Sequence, residues 1–321
     1  MKEYAIDSVW NLVNGGAPSL SDSEWSRQLT LLENQKLLGL VFAQKGFALA
    51  PEVTKTQAKK VWKLQLLQNG LFFQELAEIE RWFLAAGIEA VVLKGMALVP
   101  DIYPDLGSRF MCDIDLLLAP TALDRAKNIL LTQGFIESVE TKWEANDFKI
   151  VLEKPFGEMS LVVELHSRLF FQNDVGLWTT REYPRFQSLR RLELHDQLVH
   201  LLGHLGYQHS CLMLHWFVDI DRFIRHHGNE LDWKAFSVRL KQLRQVRSAR
   251  LIFFVLKKFL NTPVPQLADF EGGFLFSFLM SEAYLWSVTK PRLRYLLVKH
   301  LCKDSWWDAL AYDFLWLRAR W

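Results

Sequence analysis

The sequence has few of the residues and segments that define several large classes of protein. Its 321 residues include only three cysteines, which are widely spaced and form no CxxC pair. A disulfide framework and a thiolate zinc site are therefore not expected, and a reducing, cytoplasmic location is favoured. The 16 Gly and 10 Pro residues are too few for a collagen-like or low-complexity chain. The first residues, MKEYAIDSVW, lack the apolar stretch of a secretory signal.

A strong charge of either sign and a long apolar run are also missing. Lys and Arg number 38 and Asp and Glu number 36, so the net charge of +2 predicts no general affinity for nucleic acid. No run approaches the roughly 18 apolar residues of a membrane span, so no span is expected. Half of the residues (50%) are hydrophobic and 23% are charged, which is typical of a folded chain and not of a disordered one.

The pattern of apolar residues divides the chain into three zones. Residues 1–87 have helical periodicity, most clearly over residues 54–83. Residues 88–170 contain short, β-branched apolar segments between helical ones, and residues 171–321 are predicted to be largely helical. The sequence therefore predicts an α+β fold, in which a small mixed β-sheet core is flanked by an N-terminal helical segment and a large C-terminal helical domain.

The central zone is expected to hold the sheet. Two apolar segments are predicted as buried strands, and two more, separated by Lys154-Pro155-Phe156-Gly157, as a hairpin, because Pro and Gly are typical of turns. A helix is predicted between them, with Pro near its first turn and Gly just beyond its end. The predicted strands are 88–93, 111–118, 148–153 and 159–166, and the predicted helix is 120–133.

Two acidic residues lie two positions apart in the second of these strands. Because side chains on a strand alternate between faces, Asp113 and Asp115 are expected to point the same way. Two like charges in an apolar segment are costly unless a cation or hydrogen bonds compensate them, and carboxylate oxygens suit Mg²⁺ or Mn²⁺. Glu164 adds a third carboxylate in another apolar strand. The alternative is an edge strand with two solvated aspartates.

Residues typical of phosphate recognition precede these acids. Lys94-Gly95-Met96 follows the first predicted strand and leads into a helix, where Gly permits a close backbone approach and the helix N-terminus offers N–H groups. Lys94 is a phosphate ligand or a surface lysine. Arg109 can grip a phosphate with two nitrogens or form a salt bridge to one of the aspartates. The sequence predicts a phosphate-binding segment here and leaves both pairs of alternatives open.

These residues together resemble a known family. The segments LKGMALVPDIYPDLGSRFMCDIDLLL and VVELHSRLF are similar to those of the uncharacterised nucleotidyltransferase family in the polymerase-β-like nucleotidyltransferase superfamily. The resemblance covers residues 88–170 well and extends more loosely to about residue 225. Many members of the superfamily have Gly-Ser after the first strand, where this chain has Lys94-Gly95-Met96, which is typical of the subfamily.

The resemblance implies an activity and a set of site residues. By position, Asp113, Asp115 and Glu164 match the metal-binding and catalytic acids, and Gly95 matches the glycine after the first strand. The implied reaction is two-metal-ion transfer of a nucleoside monophosphate from an NTP, dependent on Mg²⁺ or Mn²⁺. The acceptor can be a small molecule, a peptide or an RNA end. A catalytically silent nucleotide- or partner-binding scaffold is the alternative.

The helical zone contributes two further candidate residues. His204, spaced four residues from His200, is expected to pack in the core or contact substrate, since the pair lacks the acidic residue of a zinc HExxH motif. Asp219 is expected to orient His204, to contact substrate, or to lie on a helix surface. The many aromatic residues near the C-terminus are predicted to form core, with a homo-oligomer contact or a membrane-surface patch as the alternatives.

Overall fold

The computed structural model describes residues 4–138, 149–157, 159–170, 178–266 and 274–318. Within these ranges a mixed sheet carries helices from both ends of the chain, and the α+β architecture predicted from the sequence is confirmed. Along the chain, the helices that come before or between the strands are α1 Tyr4–Val13, α2 Asp22–Asn34, α3 Leu38–Ala43, α4 Glu52–Ala85, α5 Lys94–Ile102 and α6 Leu123–Thr132. After the sheet, they are α7 Leu194–Leu202, α8 Leu214–His227, α9 Trp233–Gln242, α10 Val246–Val255, α11 Phe274–Leu279, α12 Glu282–Trp286, α13 Arg292–Leu301 and α14 Trp306–Arg318.

The sheet has seven strands in the order β3-β4-β5-β2-β1-β7-β6. The strands are β1 Ala90–Val92, β2 Ile114–Leu118, β3 Ile136–Glu137, β4 Lys149–Phe156, β5 Met159–His166, β6 Thr180–Glu182 and β7 Leu189–Leu192. The pairs β2–β5 and β1–β7 are parallel, and the other neighbours are antiparallel. The sheet is therefore mixed, as predicted, and β2 lies near its centre.

Strand β2 separates two hydrophobic cores because its neighbouring side chains face opposite ways. Leu116 belongs to a core with the buried residues of α4 and α6, whereas Leu117 belongs to a core with α7, α8 and α10. All five residues of the strand are buried. A strand covered on both faces needs a nearly continuous apolar sequence, which β2 has except at Asp115. The one charged residue of the strand is thus enclosed between helices.

The structure confirms most of the predicted central elements and moves several boundaries. Strands β4 and β5 form the predicted hairpin, but β4 continues through Pro155, which pairs with Ser160. Gly157, with φ +61°, marks the turn instead. Strand β2 begins at Ile114, so Asp113 precedes the strand and does not lie on it. The sheet also includes β6 and β7, which follow residue 170. The division into units 1–87, 88–170 and 171–321 stays a prediction.

The length and the polarity of the helices determine whether any of them can span a membrane. Among the residues that the structure describes, no helix is both long enough and apolar enough to cross a membrane.

Candidate active site

The structure brings two of the predicted acids side by side. Asp115 on β2 is directly opposite Glu164 on the parallel strand β5. Residues that pair in this way project to the same face of a sheet. Asp115 is 1% exposed and the Glu164 side chain 13% exposed, so both carboxylates are largely withdrawn from water. Buried carboxylates need compensating groups, and the structure supplies them.

Three basic side chains surround these carboxylates. Lys94 Nζ lies 2.6 Å from Asp115 Oδ1 and 3.8 Å from Glu164 Oε2. Lys149 Nζ lies 2.7 Å from Glu164 Oε1. His166 Nε2 lies 3.0 Å from Asp115 Oδ1 and 3.3 Å from Glu164 Oε2. We call these five side chains the acid cluster.

The charges of the acid cluster shift the pKa values of Asp115, Glu164 and Lys94. Burial raises the pKa of Asp115, but the charge of Lys94 and the contact with His166 outweigh it and hold that pKa well below its usual range. Burial likewise raises the pKa of Glu164, and the hydrogen bond from His166 brings it below its ordinary value. The pKa of Lys94 is raised, because the three nearby acids outweigh the effect of burial. Both carboxylates are therefore ionised at neutral pH.

Asp113 lies beside this cluster in a different environment. It is half-buried in the turn before β2, and burial and the charge of Asp115 raise its pKa to about 6. Among the described residues, the ligand atoms of Asp115, Glu164 and His166 all lie within 4.8 Å of one another, and Asp113 is not in that group. The role of Asp113 as a metal ligand stays a prediction.

The donor atoms of the cluster fit a hard divalent cation. Its two carboxylates, with Asp113 nearby, offer the oxygen ligands that Mg²⁺ and Mn²⁺ prefer, whereas the imidazole of His166 is a ligand typical of softer transition metals. The sequence analysis missed His166, although a signal was present, because Glu164 and His166 are two residues apart on β5 and share a face. Lys149 was missed as well, and no local pattern indicates it, since its position depends on the register of the β4–β5 hairpin.

The segment predicted to bind phosphate forms the start of α5. Lys94 is its first residue, with φ +47°, and Gly95 and Met96 follow within the first turn. The first N–H groups of a helix have no partner inside the helix, so they are available to an anion. The Met96 side chain is buried in the core, so only its backbone is suited to this task.

Gly95 has a packing role that the sequence analysis did not foresee. It is buried inside α5 and does not lie in an open loop. A Cβ at this position would lie 2.2 Å from Arg109 Nη1 and 2.7 Å from Met111 Sδ. The chain segment with Arg109 and Met111 therefore approaches α5 as closely as it does because residue 95 has no side chain.

Arg109 pairs with an aspartate that the sequence analysis did not consider for it. Its Nε and Nη2 donate to the two carboxylate oxygens of Asp219 on α8, at 2.8 and 2.7 Å. Tyr103 Oη donates to Asp219 Oδ1 at 2.5 Å. Arg109 is 7% and Asp219 1% exposed, so Asp219 does not lie on a helix surface. The alternative salt bridge from Arg109 to Asp113 or Asp115 is not the one that the structure forms.

His204 belongs to a group of aromatic rings next to the acid cluster. Its ring centroid lies 4.4 Å from that of His209 and 4.9 Å from that of Trp216. Its Nδ1 lies 3.3 Å from Gln208 Oε1, so the expectation that Asp219 orients His204 is wrong: Asp219 is engaged by Arg109 and Tyr103. A substrate contact at His204 stays a prediction.

A second group of potential ligands lies at the other end of α5. Asp101, His226 and His227 have ligand atoms within 4.8 Å of one another. Arg191 Nη1 lies 2.7 Å and Arg181 Nη2 3.7 Å from Asp101 Oδ2. Two guanidinium groups on the carboxylate disfavour a cation, so this group acts as an ion-pair network.

Comparison with known proteins adds one finding to this geometry. A family model described as "Uncharacterised nucleotidyltransferase" matches residues 21–261, which is most of the chain and includes the acid cluster, Arg109 and Asp219. None of the curated proteins compared matches the chain.

Proposed function

Since the chain belongs to the uncharacterised nucleotidyltransferase family, we propose that it transfers a nucleoside monophosphate from an NTP to an acceptor, with Mg²⁺ or Mn²⁺. The observation that carries the proposal is the register of Asp115 with Glu164, which gathers two ionised carboxylates and His166 on one buried face. Buried carboxylates among other charged groups are frequent at catalytic sites, which supports the proposal.

Asp113, Asp115 and Glu164 would hold the cation through their carboxylate oxygens, and the contacts of His166 with Asp115 and Glu164 orient those two carboxylates. When bound, divalent ions in two-metal transferases neutralise the phosphates and stabilise both the attacking and the leaving oxygen. The chain itself supplies the remaining parts. The N–H groups at the start of α5 and the ammonium of Lys94 bind phosphate oxygens. Glu164 is suited to accept the proton of the acceptor group, since it is ionised at neutral pH and partly exposed.

Hydrogen bonds hold the guanidinium group of Arg109 in place, so it is suited to a positioning role. Both oxygens of Asp219 hold its Nε and Nη2, while its Nη1 donates to the carbonyl of Phe110 at 3.0 Å. The guanidinium therefore orients the segment that leads from α5 to β2, and its charge contributes to the positive field around a bound nucleotide. We place the reaction in the cytoplasm, because the three cysteines are free thiols, which fits a reducing compartment.

The acceptor class is left to experiment: a small-molecule hydroxyl, a peptide or an RNA end. Purified protein is incubated with each NTP, Mg²⁺ or Mn²⁺ and a fractionated cell extract, and products are sought by a nucleotide-dependent gain in mass. Asp115→Asn, with Glu137→Gln on the exposed strand β3 as control, tests each hit. We expect the gain with wild type and with Glu137→Gln, and a loss of more than about 100-fold with Asp115→Asn.

One observation favours a second function, that of a nucleotide- or partner-binding scaffold. The Lys94 ammonium already compensates Asp115, so the cluster is electrostatically satisfied without a cation. Thermal unfolding with ATP, GTP, CTP and UTP, each with and without metal, separates the two functions. A metal-dependent rise in Tm supports the transferase, and a rise with nucleotide that is indifferent to metal supports the scaffold.

A further inference from the structure

A group of aromatic side chains next to the acid cluster has no role in the transfer reaction proposed above. The Trp216 ring centroid lies 4.9 Å from those of His204 and His209 and 5.0 Å from that of His215. His204 and His209 are 4.4 Å apart, centroid to centroid. We call Trp216, His204, His209 and His215 the ring platform.

The backbone builds this platform with an unusual helix end. After α7, residues Gly203–Gln208 continue as a π-helical turn, and His209 N donates to His204 O at 3.1 Å, a bond that spans five residues. This bond brings the His209 ring next to that of His204. The next two residues, Ser210 and Cys211, have φ of 51° and 59°, a conformation that is unfavourable for residues with a Cβ. π-Turns and strained residues of this kind are frequent at binding sites.

The platform lies beside the chain segment that follows the acid cluster, since Gln208, one residue before His209, donates through Nε2 to the carbonyl of Leu169 at 3.0 Å, three residues after His166. The charges of Lys94, Lys149, Glu164 and Asp115 all act on His209, and those of Lys94 and Asp115 act on His204. His209 and Trp216 are half-buried and therefore reachable from solvent, whereas His204 and His215 are buried. We expect a molecule whose phosphates lie at the start of α5 to reach Trp216 and His209 with its other end.

Two other tasks fit the platform less well. A metal site requires imidazole nitrogens that converge, and the groups of described residues that can hold an ion do not include these histidines. An anion site requires positive charge, but burial lowers the pKa of His209 to about 4 and that of His215 to about 3, so both rings are neutral at pH 7. What remains is a set of neutral aromatic rings, two of them half-buried, which is suited to a flat, uncharged, aromatic ligand.

We propose that Trp216 and His209, supported by His204 and His215, stack against the nucleobase of the bound NTP. The inference rests on the proposed nucleotidyl transfer. It identifies the part of the site that favours a nucleotide over inorganic tripolyphosphate, which lacks the base. Stacking tolerates every base because each has a π-face, and the larger purines cover more of the rings. ATP and GTP therefore bind more tightly than CTP and UTP.

The test measures dissociation constants by calorimetry with Mg²⁺ present. The ligands are the four NTPs and inorganic tripolyphosphate, which has the phosphates without the base. The proteins are wild type, Trp216→Ala, Trp216→Phe, His209→Ala and, as control, Trp307→Ala, since Trp307 is 80% exposed and outside the platform. Circular dichroism and thermal unfolding establish that each variant is folded, and His209→Ala takes the place of Trp216→Ala if that variant is not.

We expect wild type to bind ATP more tightly than tripolyphosphate, and Trp216→Ala to weaken ATP binding by about 5- to 150-fold. Tripolyphosphate binding stays within about twofold of wild type in the same variant, and Trp216→Phe restores most of the ATP affinity. An equal loss for ATP and tripolyphosphate, or no loss for either, overturns the platform and leaves the transferase proposal standing. If wild type binds neither ligand, the proposed function itself is wrong and the platform falls with it.

Discussion

The ammonium nitrogen of Lys94 lies 2.6 Å from Oδ1 of Asp115. The backbone of Lys94 has a φ of 47°, which is in the left-handed region. A residue with a Cβ adopts that conformation at a cost of about 1–3 kcal/mol unless its surroundings enforce it. The ion pair supplies the enforcement, because a buried aspartate needs a positive charge next to it. Lys94 therefore holds the position that a metal ion competes for, and it also lies at the start of the helix predicted to bind phosphate.

Replacement of Lys94 by Met should separate these two effects. Without the ammonium, the acid cluster is more negative, so we expect the affinity for Mn²⁺ alone to rise by about 3- to 10-fold. Binding of the metal–NTP complex should weaken, since a charged hydrogen bond to phosphate contributes roughly 1.5–3 kcal/mol. Calorimetric titration with MnCl₂ and with Mn-ATP measures both.

A lysine outside the acid cluster provides the control for that experiment. Lys154 pairs with Glu75 at 2.8 Å, so Lys154→Met removes one half-buried ion pair without altering the cluster. Metal and nucleotide affinity should be unchanged in this variant. If Lys94→Met leaves the Mn²⁺ affinity as it is in wild type, the lysine does not compete with the ion.

The buried pair of Arg109 and Asp219 predicts a large effect on stability. Asp219→Asn leaves a buried guanidinium without its charged partner, which costs about 3–5 kcal/mol. The double variant Arg109→Met/Asp219→Leu leaves no unpaired charge, so its free energy of unfolding should lie closer to that of wild type than that of Asp219→Asn does. Urea unfolding of Arg109→Met, Asp219→Leu and the double variant measures the coupling. Additive effects of the two single substitutions would contradict it.

Two glycines in helices provide a matched test of packing against flexibility. Gly95→Ala places a Cβ 2.2 Å from Arg109 Nη1, and Arg109 cannot yield because Asp219 holds it. We expect a loss of about 1–3 kcal/mol. Gly70 lies inside α4 with open space around the position of its Cβ, so Gly70→Ala should stabilise the protein by up to about 1 kcal/mol. Urea unfolding gives both values. Equal signs for the two substitutions would refute the packing role of Gly95.

Local patterns predict much of the fold and about half of the site. The period of two in an apolar segment sets Asp115 and Glu164 on the buried faces of their strands, and Pro and Gly mark the region of the hairpin. The length of α4 follows from its helical periodicity. The choice of these acids as a pair came from the resemblance to a family, because a DxD motif alone is common.

The partners of these residues could not be predicted from local patterns. Arg109 and Asp219 are separated by 110 residues, and the sequence near either one gives no sign of the other. Lys149 reaches Glu164 only through the register of the hairpin. β7 pairs with β1 after a long connection, and the short β7 segment, with two adjacent arginines, has no clear alternation of apolar residues. Long-range pairing depends on the packing of the whole chain, which periodicity does not encode.

The ion pair between Asp101 and His227 predicts a pH-dependent stability. His227 Nε2 lies 3.0 Å from Asp101 Oδ2 and joins the end of α5 to the end of α8. The hydrogen bond from His227, aided by Arg191, lowers the pKa of Asp101 to about 2 from its ordinary 3.8. Burial lowers the pKa of His227, but the hydrogen bonds to Asp101 and Glu230 outweigh it and raise it above 6.5. The two shifts define the window in which the pair stabilises the fold.

The contribution of His227 to the free energy of unfolding is complete below pH 6.5 and is lost as the pH rises through the folded-state pKa of His227. The contribution of Asp101 is complete above pH 3.8 and is lost as the pH falls towards 2. The difference in Tm between wild type and His227→Gln should therefore be largest between about pH 4 and 6.5 and shrink by pH 9. Thermal unfolding across this range measures it. His195→Gln is the control, because the contact that His195 makes in the described part of the chain is to a neutral acceptor, the backbone carbonyl of Asp232 at 3.1 Å. A Tm difference for His227→Gln that is constant from pH 4 to 9 would show that the contact stabilises by packing and not by charge.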